Sequence, residues 1–286
     1  MLSYIKFNMK YTILLSLFFL TINSTFSQEI KVLSYNIRYD NQDDGLDSWT
    51  ASKRNQKVAS LLNELNADVI GIQEALHHQL TYLNNQLIQY KWIGVGRDDG
   101  KIEGEHAPIF YNHKKLKLKK WGYFWLSETP NKPSKGWDAN CCNRIATWAI
   151  FKVKNRQFFF INTHFDHQGT RAQYESAQLI LEKSQRFSKD LPIILTGDLN
   201  VSPSSSAIQT LKSKLKDSHS TALQLIGPNG TYNAFKHSMV PTDEKRIDYI
   251  FHSYSWKTIE FKTLDIKYQN RYPSDHFPIL ATLKLE

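Results

Sequence analysis

The chain has 286 residues, a formal net charge of +9, 41% hydrophobic residues and 13% aromatic residues. This length suits one large domain or two small ones. The sequence has no low-complexity tract and no internal repeat of short period, which excludes repeat and low-complexity architectures. The mild basic excess is by itself only a weak indication of an anionic partner.

The first residues have the pattern of a secretory signal peptide. Lys6 and Lys10 precede an apolar run at residues 13–20, and Thr25-Phe26-Ser27 offers small residues at the right offsets for cleavage. The run is too short for a spanning helix. We therefore predict a signal peptide over residues 1–27, export to the periplasm or the exterior, and no stable membrane anchor after cleavage. The alternative is an N-terminal anchor helix.

The chain contains two cysteines, Cys141 and Cys142, which are adjacent. Adjacent cysteines close a strained ring and seldom bridge each other, so we expect no conventional disulfide framework. The pair also lacks the ligand spacing of a zinc site.

The rest of the chain, residues 28–286, is predicted to be one catalytic domain because no linker rich in Pro, Gly or Ser divides it. The first helix is indicated by the helical spacing of Val58, Leu61, Leu62 and Leu65. The predicted helices cover residues 51–66, 76–87, 170–189, and 204–215 with Ser204 as the cap. The predicted strands cover residues 30–37, 69–72, 92–95, 108–111, 114–120, 146–153, 157–162, 193–195, 247–251, 258–265 and 279–285. Strands outnumber helices and alternate with several of them, which indicates a mixed α/β architecture with helices outside the sheets.

Two long segments carry few strand signals. Residues 217–232 are predicted to be mostly loop. Residues 121–142 contain Trp125, Trp137, Lys132 and Lys135, which could roof a binding site, because long ordered loops are often functional. The alternative is that the tryptophans only pack the loop.

A buried strand at residues 193–195 is followed by Asp198 and Asn200. In extended chain, alternate residues point to the same side, so both side chains could face one point past the strand end. A carboxylate beside an amide suits a water and a phosphate, since one accepts a proton and the other donates a hydrogen bond. The alternative is an ordinary polar turn.

Polar residues recur where other predicted strands begin or end. They are Asn36, Glu74, His164, Asp166, Asp248, Asp275 and His276. Carboxylate and amide oxygens suit Mg²⁺ or Mn²⁺. Zinc would need clustered His or Cys ligands, and no His-Glu-x-x-His motif is present.

These residues lie in motifs that resemble the endonuclease/exonuclease/phosphatase superfamily, which includes deoxyribonuclease I. The motifs are Ser-Tyr-Asn-Ile-Arg, Ile-Gly-Ile-Gln-Glu, Asn-Thr-His-Phe-Asp, Leu-Thr-Gly-Asp-Leu-Asn, Ile-Asp-Tyr-Ile and Ser-Asp-His, in the family's order from residue 31 onward. The stretches at residues 94–100, 125–130 and 144–149 resemble a branch of exported bacterial members. The resemblance implies a four-layer α/β/β/α sandwich of two mixed β-sheets flanked by helices, with the site at one end between the sheets.

The resemblance also implies Mg²⁺-dependent phosphoester hydrolysis and a metal site. Glu74 matches the principal metal ligand, and Asn36 lies close to metal and phosphate. Asp275 is expected to add a second, weaker metal contact.

The implied catalytic residues are Asp198, Asn200, Asp248, His276 and His164. Asp198 orients or deprotonates the attacking water, and Asn200 positions that water or the phosphate. His276 and Asp248 form the family's His-Asp pair, in which the carboxylate fixes the tautomer and raises the imidazole pKa. His164 contacts the phosphate or protonates the leaving group.

Two assignments stay open at this stage. The acid that supports His164 is Glu103 or Glu105. Arg171 binds a second phosphate, or it pairs with Asp166 and caps the following helix.

The resulting hypothesis is a monomeric, metal-dependent phosphoric ester hydrolase acting on a phosphorylated small molecule, such as a sugar or nucleotide phosphate. The first alternative is a secreted nuclease acting on DNA or RNA, although no basic cluster interleaved with aromatics supports it outside the lysine-rich strand. The second alternative is a non-catalytic binding protein on the same scaffold.

Overall fold

The computed structural model describes residues 28–286, which form two facing β-sheets with helices on the outer faces. The predicted signal peptide lies outside the described residues. The strands are β1 Glu29–Asn36, β2 Val69–Gln73, β3 Tyr90–Ile93, β4 Ile109–Asn112, β5 Lys117–Trp125, β6 Ile145–Val153, β7 Arg156–His164, β8 Ile193–Asp198, β9 Lys216–Asp217, β10 Gln224–Ile226, β11 Asp248–His252, β12 Trp256–Thr263 and β13 Ile279–Leu285. The α-helices are α1 Arg54–Leu65, α2 His77–Gln86, α3 Thr170–Ser188, α4 Ser206–Lys212 and α5 Ser218–Thr221.

Both sheets are mixed, which confirms the predicted four-layer fold. The first sheet has the order β10-β12-β13-β1-β2-β4-β3, and the second has the order β5-β6-β7-β8-β11-β9. In the centre of the first sheet, β1 is parallel to β2 and antiparallel to β13. In the centre of the second, β8 is parallel to β7 and antiparallel to β11. The carboxyl ends of β1, β2, β7 and β8 therefore carry the residues predicted to form the site.

Three apolar clusters hold the four layers together. The cluster between the sheets includes Val32 and Phe160. The second joins α1 and α2 to the first sheet through residues such as Leu62, and the third joins α3 and α4 to the second sheet through residues such as Ile180. Burial of these side chains removes apolar surface from water and stabilises the layers.

Several element boundaries differ from the predictions. Helix α1 begins at Arg54 because Ser52 and Lys53 adopt positive φ angles of 46° and 56° and separate it from the preceding 3₁₀ turn. Helix α4 is capped by Ser205 rather than Ser204, because Ser205 Oγ accepts from Ile208 N (3.3 Å). Three consecutive serines give the sequence no means to choose among them.

Two segments predicted as irregular contain regular structure. Strand β5 continues to Trp125, because residues 120–125 pair with β6 as far as Ile145. Residues 217–232 include α5 and β10. Within residues 28–286, no helix is long and apolar enough to cross a membrane.

Candidate active site

Three polar residues lie side by side across three neighbouring strands of the second sheet. In the parallel pair β7–β8, His164 is opposite Asp198, and in the antiparallel pair β8–β11, Asp248 is opposite Asp198. All three side chains are buried, with exposed fractions of 8%, 1% and 1%. Strand register therefore places one imidazole and two carboxylates at the same level of the sheet.

The first sheet supplies the residues that face Asp198. Asn36 ends β1, and its Nδ2 donates to Glu74 Oε1 and to Asp198 Oδ2, both at 2.9 Å. Glu74 follows β2 with a φ of 66°, and its Oε2 accepts from Tyr39 N (3.2 Å). A positive φ is unusual for a non-glycine residue and is typical of functional sites. Asn36 thus joins the two sheets through hydrogen bonds to their acidic residues.

Below the site, a buried polar bridge fixes the spacing of the sheets. Gln73 Nε2 donates to Asn162 Oδ1 (2.7 Å), and Thr196 Oγ1 donates to the same oxygen (3.0 Å). Asn162 Nδ2 donates in turn to Ile72 O (2.7 Å). A Cβ on Gly71 would overlap Thr196 Oγ1 and Asn162 Oδ1, so only glycine allows this approach.

His276 lies beside both carboxylates of the second sheet. Its Nδ1 is 2.8 Å from Asp248 Oδ2, and its Nε2 is 3.6 Å from Asp198 Oδ2. Although burial disfavours the charged imidazole, Asp248 and Asp198 raise the pKa of His276 well above its ordinary value. Burial and the charge of Asp248 raise the pKa of Asp198 to about 7, against the opposing effect of His276. The Asp248–His276 pair is therefore a protonated donor that faces Asp198.

His164 is held in a defined tautomer on the other side of Asp198. Asn200 Nδ2 donates to Phe165 O (3.0 Å), which orients the amide so that the same nitrogen donates to His164 Nε2 (2.9 Å). The proton of His164 is then on Nδ1, which faces Glu105 Oε2 at 3.8 Å. Burial, with the nearby cations Arg144 and Arg97, lowers the pKa of His164 well below its ordinary value.

The structure places Glu105, and not Glu103, next to His164. Glu105 Oε2 also accepts from Arg97 Nη1 (2.6 Å), whereas Glu103 is exposed. Burial raises the pKa of Glu105 to about 7, although the charge of Arg97 opposes this shift.

The oxygen-rich part of the site fits a hard divalent cation. The donor atoms of Glu74, His164 and Asp198 lie within 4.8 Å of one another. Asp275 faces the same region, where Arg38 lies 3.9 Å from its carboxylate and 3.9 Å from that of Glu74. Burial raises the pKa of Asp275 to about 6, which His276 opposes and Glu74 reinforces. Arg38 compensates part of the negative charge of these carboxylates, and a divalent cation such as Mg²⁺ or Mn²⁺ would compensate the rest.

Asn36 is present at this site, but its amide oxygen faces away from the carboxylates. That oxygen accepts from Arg38 N (3.0 Å), while the nitrogen faces Glu74 and Asp198. A direct metal contact from Asn36 therefore requires its amide to turn over.

These residues surround an open cavity of about 640 Å³. Its lining residues are Arg38, Tyr39, Glu74, Arg97, Glu105, Cys141, Cys142, Arg144, His164, His167, Asp198, Asn200, Tyr232, Ile247, Asp275 and His276. A volume of this size is typical of small-molecule sites. Asp248 does not line the cavity and influences it through its contact with His276.

The two tryptophans proposed as a roof lie elsewhere. Trp125 is buried, and its Nε1 donates to Arg97 O (2.7 Å). Trp137 lines a separate surface cavity with Glu128, and Lys132 is exposed, as is Lys135, whose Nζ donates to Asn140 O (2.8 Å). The alternative that the tryptophans pack the loop fits these contacts.

The structure pairs Cys141 with Cys142, although adjacent cysteines seldom bridge each other. Both residues lie in one loop and line the same cavity, which brings their side chains together. The bond connects neighbouring residues and does not link separate elements.

The reading in which Arg171 pairs with Asp166 was wrong. Its side chain is 67% exposed and lies 3.8 Å from Glu175, one helical turn away. Asp166 instead accepts from Gly169 N (2.7 Å) before α3, and Arg144 Nε lies 3.6 Å from its other oxygen. Arg171 is therefore outside the cavity.

Sequence reasoning missed Arg97 and Arg144 as site residues. Both lie in stretches that resemble the exported bacterial branch, at residues 94–100 and 144–149. That local resemblance was the available signal, but neither residue ends a strand next to an acid.

Comparisons with known proteins agree with this geometry. A sequence profile described as the Endonuclease/Exonuclease/phosphatase family matches residues 33–276. A structure of an endonuclease/exonuclease/phosphatase family protein from Bacteroides thetaiotaomicron is 39% identical, with a TM-score of 0.85, covering 91% of this chain and 99% of that chain. A mannosyl-6-phosphatase structure from the same species is 39% identical, with a TM-score of 0.84, covering 89% of this chain and 99% of that chain.

A curated relative, protein angel from Drosophila melanogaster, is 40% identical over 187 residues, which is 61% of this chain and 50% of that protein. The chain thus spans about half the length of this relative. The profile match covers most of the described residues and includes the polar strand ends that form the site. The chain therefore belongs to the Endonuclease/Exonuclease/phosphatase family, whose members are phosphoesterases and nucleases.

Proposed function

We propose that this protein is a metal-dependent phosphoesterase whose substrate is a small phosphorylated molecule, with a sugar phosphate as the first candidate. One observation carries the proposal. Asp198 Oδ2 lies 3.5 Å from His164 Nε2 and 3.6 Å from His276 Nε2 at the wall of an open cavity. The Asp198 carboxylate therefore lies between the protonated imidazole of His276 and the neutral imidazole of His164. This arrangement offers a proton acceptor and a cationic donor side by side, which suits the transfer of a phosphoryl group to water.

We assign separate roles in the hydrolysis to Asp198, His276 and His164. Asp198 accepts a hydrogen bond, and then the proton, of the attacking water at a carboxylate oxygen. His276 donates from Nε2 to a phosphoryl oxygen, while Asp248 holds the proton on Nδ1. Asn200 holds the His164 ring in place through its hydrogen bond to Nε2. His164 lies on the opposite side of Asp198 and contacts the phosphate or protonates the leaving group.

Glu74 and Asp275 would hold the metal ion, with Asn36 next to them. When bound, the cation neutralises negative charge on the phosphoryl oxygens. The closeness of the Glu74 and Asp198 carboxylates and the raised pKa of Asp275 support this assignment, and Mg²⁺ and Mn²⁺ both suit such oxygen donors.

The size and walls of the cavity support a small substrate. Its volume of about 640 Å³ lies in the range of small-molecule sites. Tyr232 and Arg97 line it beside the acidic residues and offer an aromatic face and hydrogen-bond donors. The 39% identity to a mannosyl-6-phosphatase also supports a sugar phosphate.

The test is hydrolysis by residues 28–286 with and without Mg²⁺. The panel contains mannose 6-phosphate, other sugar and nucleotide phosphates, p-nitrophenyl phosphate, its bis ester, plasmid DNA and RNA. We expect Mg²⁺-dependent turnover of small phosphates that Asp198→Ala abolishes. Preferred cleavage of DNA or RNA would replace this proposal by the nuclease alternative, and no turnover of any ester would favour the binding-protein alternative.

We also propose that the protein is exported after removal of residues 1–27. The support is the charged and apolar pattern of that segment. Expression of the full chain, followed by N-terminal sequencing of the exported fraction, should give a protein that begins at Gln28. Retention of the intact chain inside the cell would contradict the proposal.

A further inference from the structure

A small recess opens beside His164, on the side that faces away from Asp198. It has a volume of about 10 Å³, which is room for one oxygen atom of a water or a hydroxyl group. Its lining residues are Arg97, Glu105, His106, Ala107, Arg144, Ile145 and His164. Four of these, the two arginines, Glu105 and His164, also line the main cavity, so the recess adjoins the site.

The polar atoms around the recess have unused hydrogen-bonding capacity. Within the described part of the chain, no hydrogen-bond partner is present for Arg144 Nη1 or Arg97 Nε, whereas Arg144 Nε faces Asp166 Oδ2 at 3.6 Å. Arg144 is 5% exposed and His106 is 2% exposed. Buried polar groups are nearly always paired, so a cluster of unpaired ones indicates a missing partner.

The guanidinium groups are held in place by other contacts. Arg144 Nη2 is 2.9 Å from His167 Nδ1, and Arg97 Nη1 donates to Glu105 Oε2. The two side chains therefore have little freedom to turn their remaining N–H groups toward other protein atoms. The partner they lack must enter from the cavity.

The chemistry of the lining selects a group that both donates and accepts. Arg97 and Arg144 can only donate. Glu105 and a ring nitrogen of His106 accept, since burial lowers the pKa of His106 and keeps its imidazole neutral. A hydroxyl group satisfies both kinds of partner, whereas a phosphate or carboxylate is too large for the volume and would face the Glu105 carboxylate.

We propose that this recess binds one hydroxyl group of a polyhydroxylated substrate, and that Arg97, Arg144 and Glu105 make the enzyme selective for sugar phosphates. The inference rests on the proposed function and specifies its substrate class. The recess lies beside His164, so the recognised hydroxyl belongs to the part of the substrate that departs from the phosphate.

The first test changes the substrate and leaves the protein intact. The wild-type kcat/KM is measured with Mg²⁺ for mannose 6-phosphate, each of its monodeoxy analogues and p-nitrophenyl phosphate. We expect one deoxy analogue to lose about 10- to 100-fold, because it leaves buried charged groups unpaired. Equal values for all analogues, or no preference for any sugar phosphate over p-nitrophenyl phosphate, would overturn the inference. Failure of the proposed function would differ, because neither ester would then be hydrolysed.

The second test changes the lining. We expect Arg144→Lys and Arg97→Lys to lower kcat/KM for the sugar phosphate at least tenfold more than for p-nitrophenyl phosphate, because lysine lacks the planar fork of donors. The matched control is Arg171→Lys, which alters an exposed arginine outside the cavity and should leave the ratio of the two activities unchanged. Equal losses on both substrates would mean that the recess holds only a structural water.

Discussion

Asp198 and Asp248 lie directly opposite each other on antiparallel strands β8 and β11, and His276 is within 3.6 Å of both carboxylates. Like charges at directly opposed positions of a sheet repel each other. The protonated imidazole offsets this repulsion, and Asp248 in turn keeps the proton on His276. The same three residues therefore stabilise the end of the sheet and carry the charge that the proposed reaction needs.

Removing this imidazole should abolish turnover without unfolding the protein. We expect His276→Ala to lower kcat by at least about 100-fold, the scale of losing a general acid or an electrostatic donor. Asp198→Ala should cost at least as much. Phosphate release is measured at saturating substrate, and circular dichroism checks the fold. His113→Ala and Asp190→Ala, at exposed positions, serve as controls; a folded His276→Ala variant with near-normal kcat would rule out the assigned role.

Metal binding should be measurable apart from activity. A ligand that binds only the folded state raises the stability of the protein. We expect the melting temperature of the wild-type protein to rise with Mg²⁺ or Mn²⁺ and the activity to disappear with EDTA. Glu74→Ala should remove most of that rise and lower turnover by at least about 100-fold. The exposed Glu244→Ala is the control, and a full Mg²⁺-induced rise in Glu74→Ala would show that the cation binds elsewhere.

The close approach of the sheets below the site gives a prediction about stability. Gly71→Ala places a methyl group against Thr196 Oγ1 and Asn162 Oδ1, both of which are fixed by buried hydrogen bonds. Overpacking of this kind typically costs about 1–3 kcal/mol. Urea unfolding should show a lower midpoint with an unchanged slope, and kcat should fall because the strands that carry Glu74 and Asp198 separate. An unchanged midpoint would mean that Asn162 and Thr196 move to accept the methyl group without a loss of stability.

The fold and the strand-end residues were predictable from the sequence for a physical reason. Apolar runs that stop at Asn36, Glu74, His164 and Asp198 mark where buried strands leave the core, and parallel pairing brings such ends together. The ordered motifs then identified the family, which the profile match confirms.

The cavity wall was less predictable because it depends on loops. Arg97 and Arg144 reach the site through the course of two loops, and their contacts with Glu105 and His167 depend on how those loops fold. No local spacing encodes such contacts. Arg171 shows the reverse error: its position next to a functional motif suggested a role, but the turn of α3 directs it to solvent.

A buried ion pair behind the site gives the last prediction. Arg246 donates to both oxygens of Asp217, at 3.3 Å and 2.8 Å, and the two side chains are only 6% and 1% exposed. Asp217→Asn leaves the guanidinium buried without its counter-charge, and breaking such a pair typically costs about 3–5 kcal/mol. The exposed pair of Arg171 and Glu175 offers a matched comparison, in which Arg171→Ala should cost no more than about 1 kcal/mol. Urea unfolding measures both changes.

The same measurement is made on Asp217→Leu, on Arg246→Met and on the variant that carries both substitutions. The double variant should lose less stability than the sum of the losses of these two single variants, because neither charge is then left alone. A small loss for Asp217→Asn, equal to that of the exposed pair, would mean that water reaches Arg246 and compensates its charge.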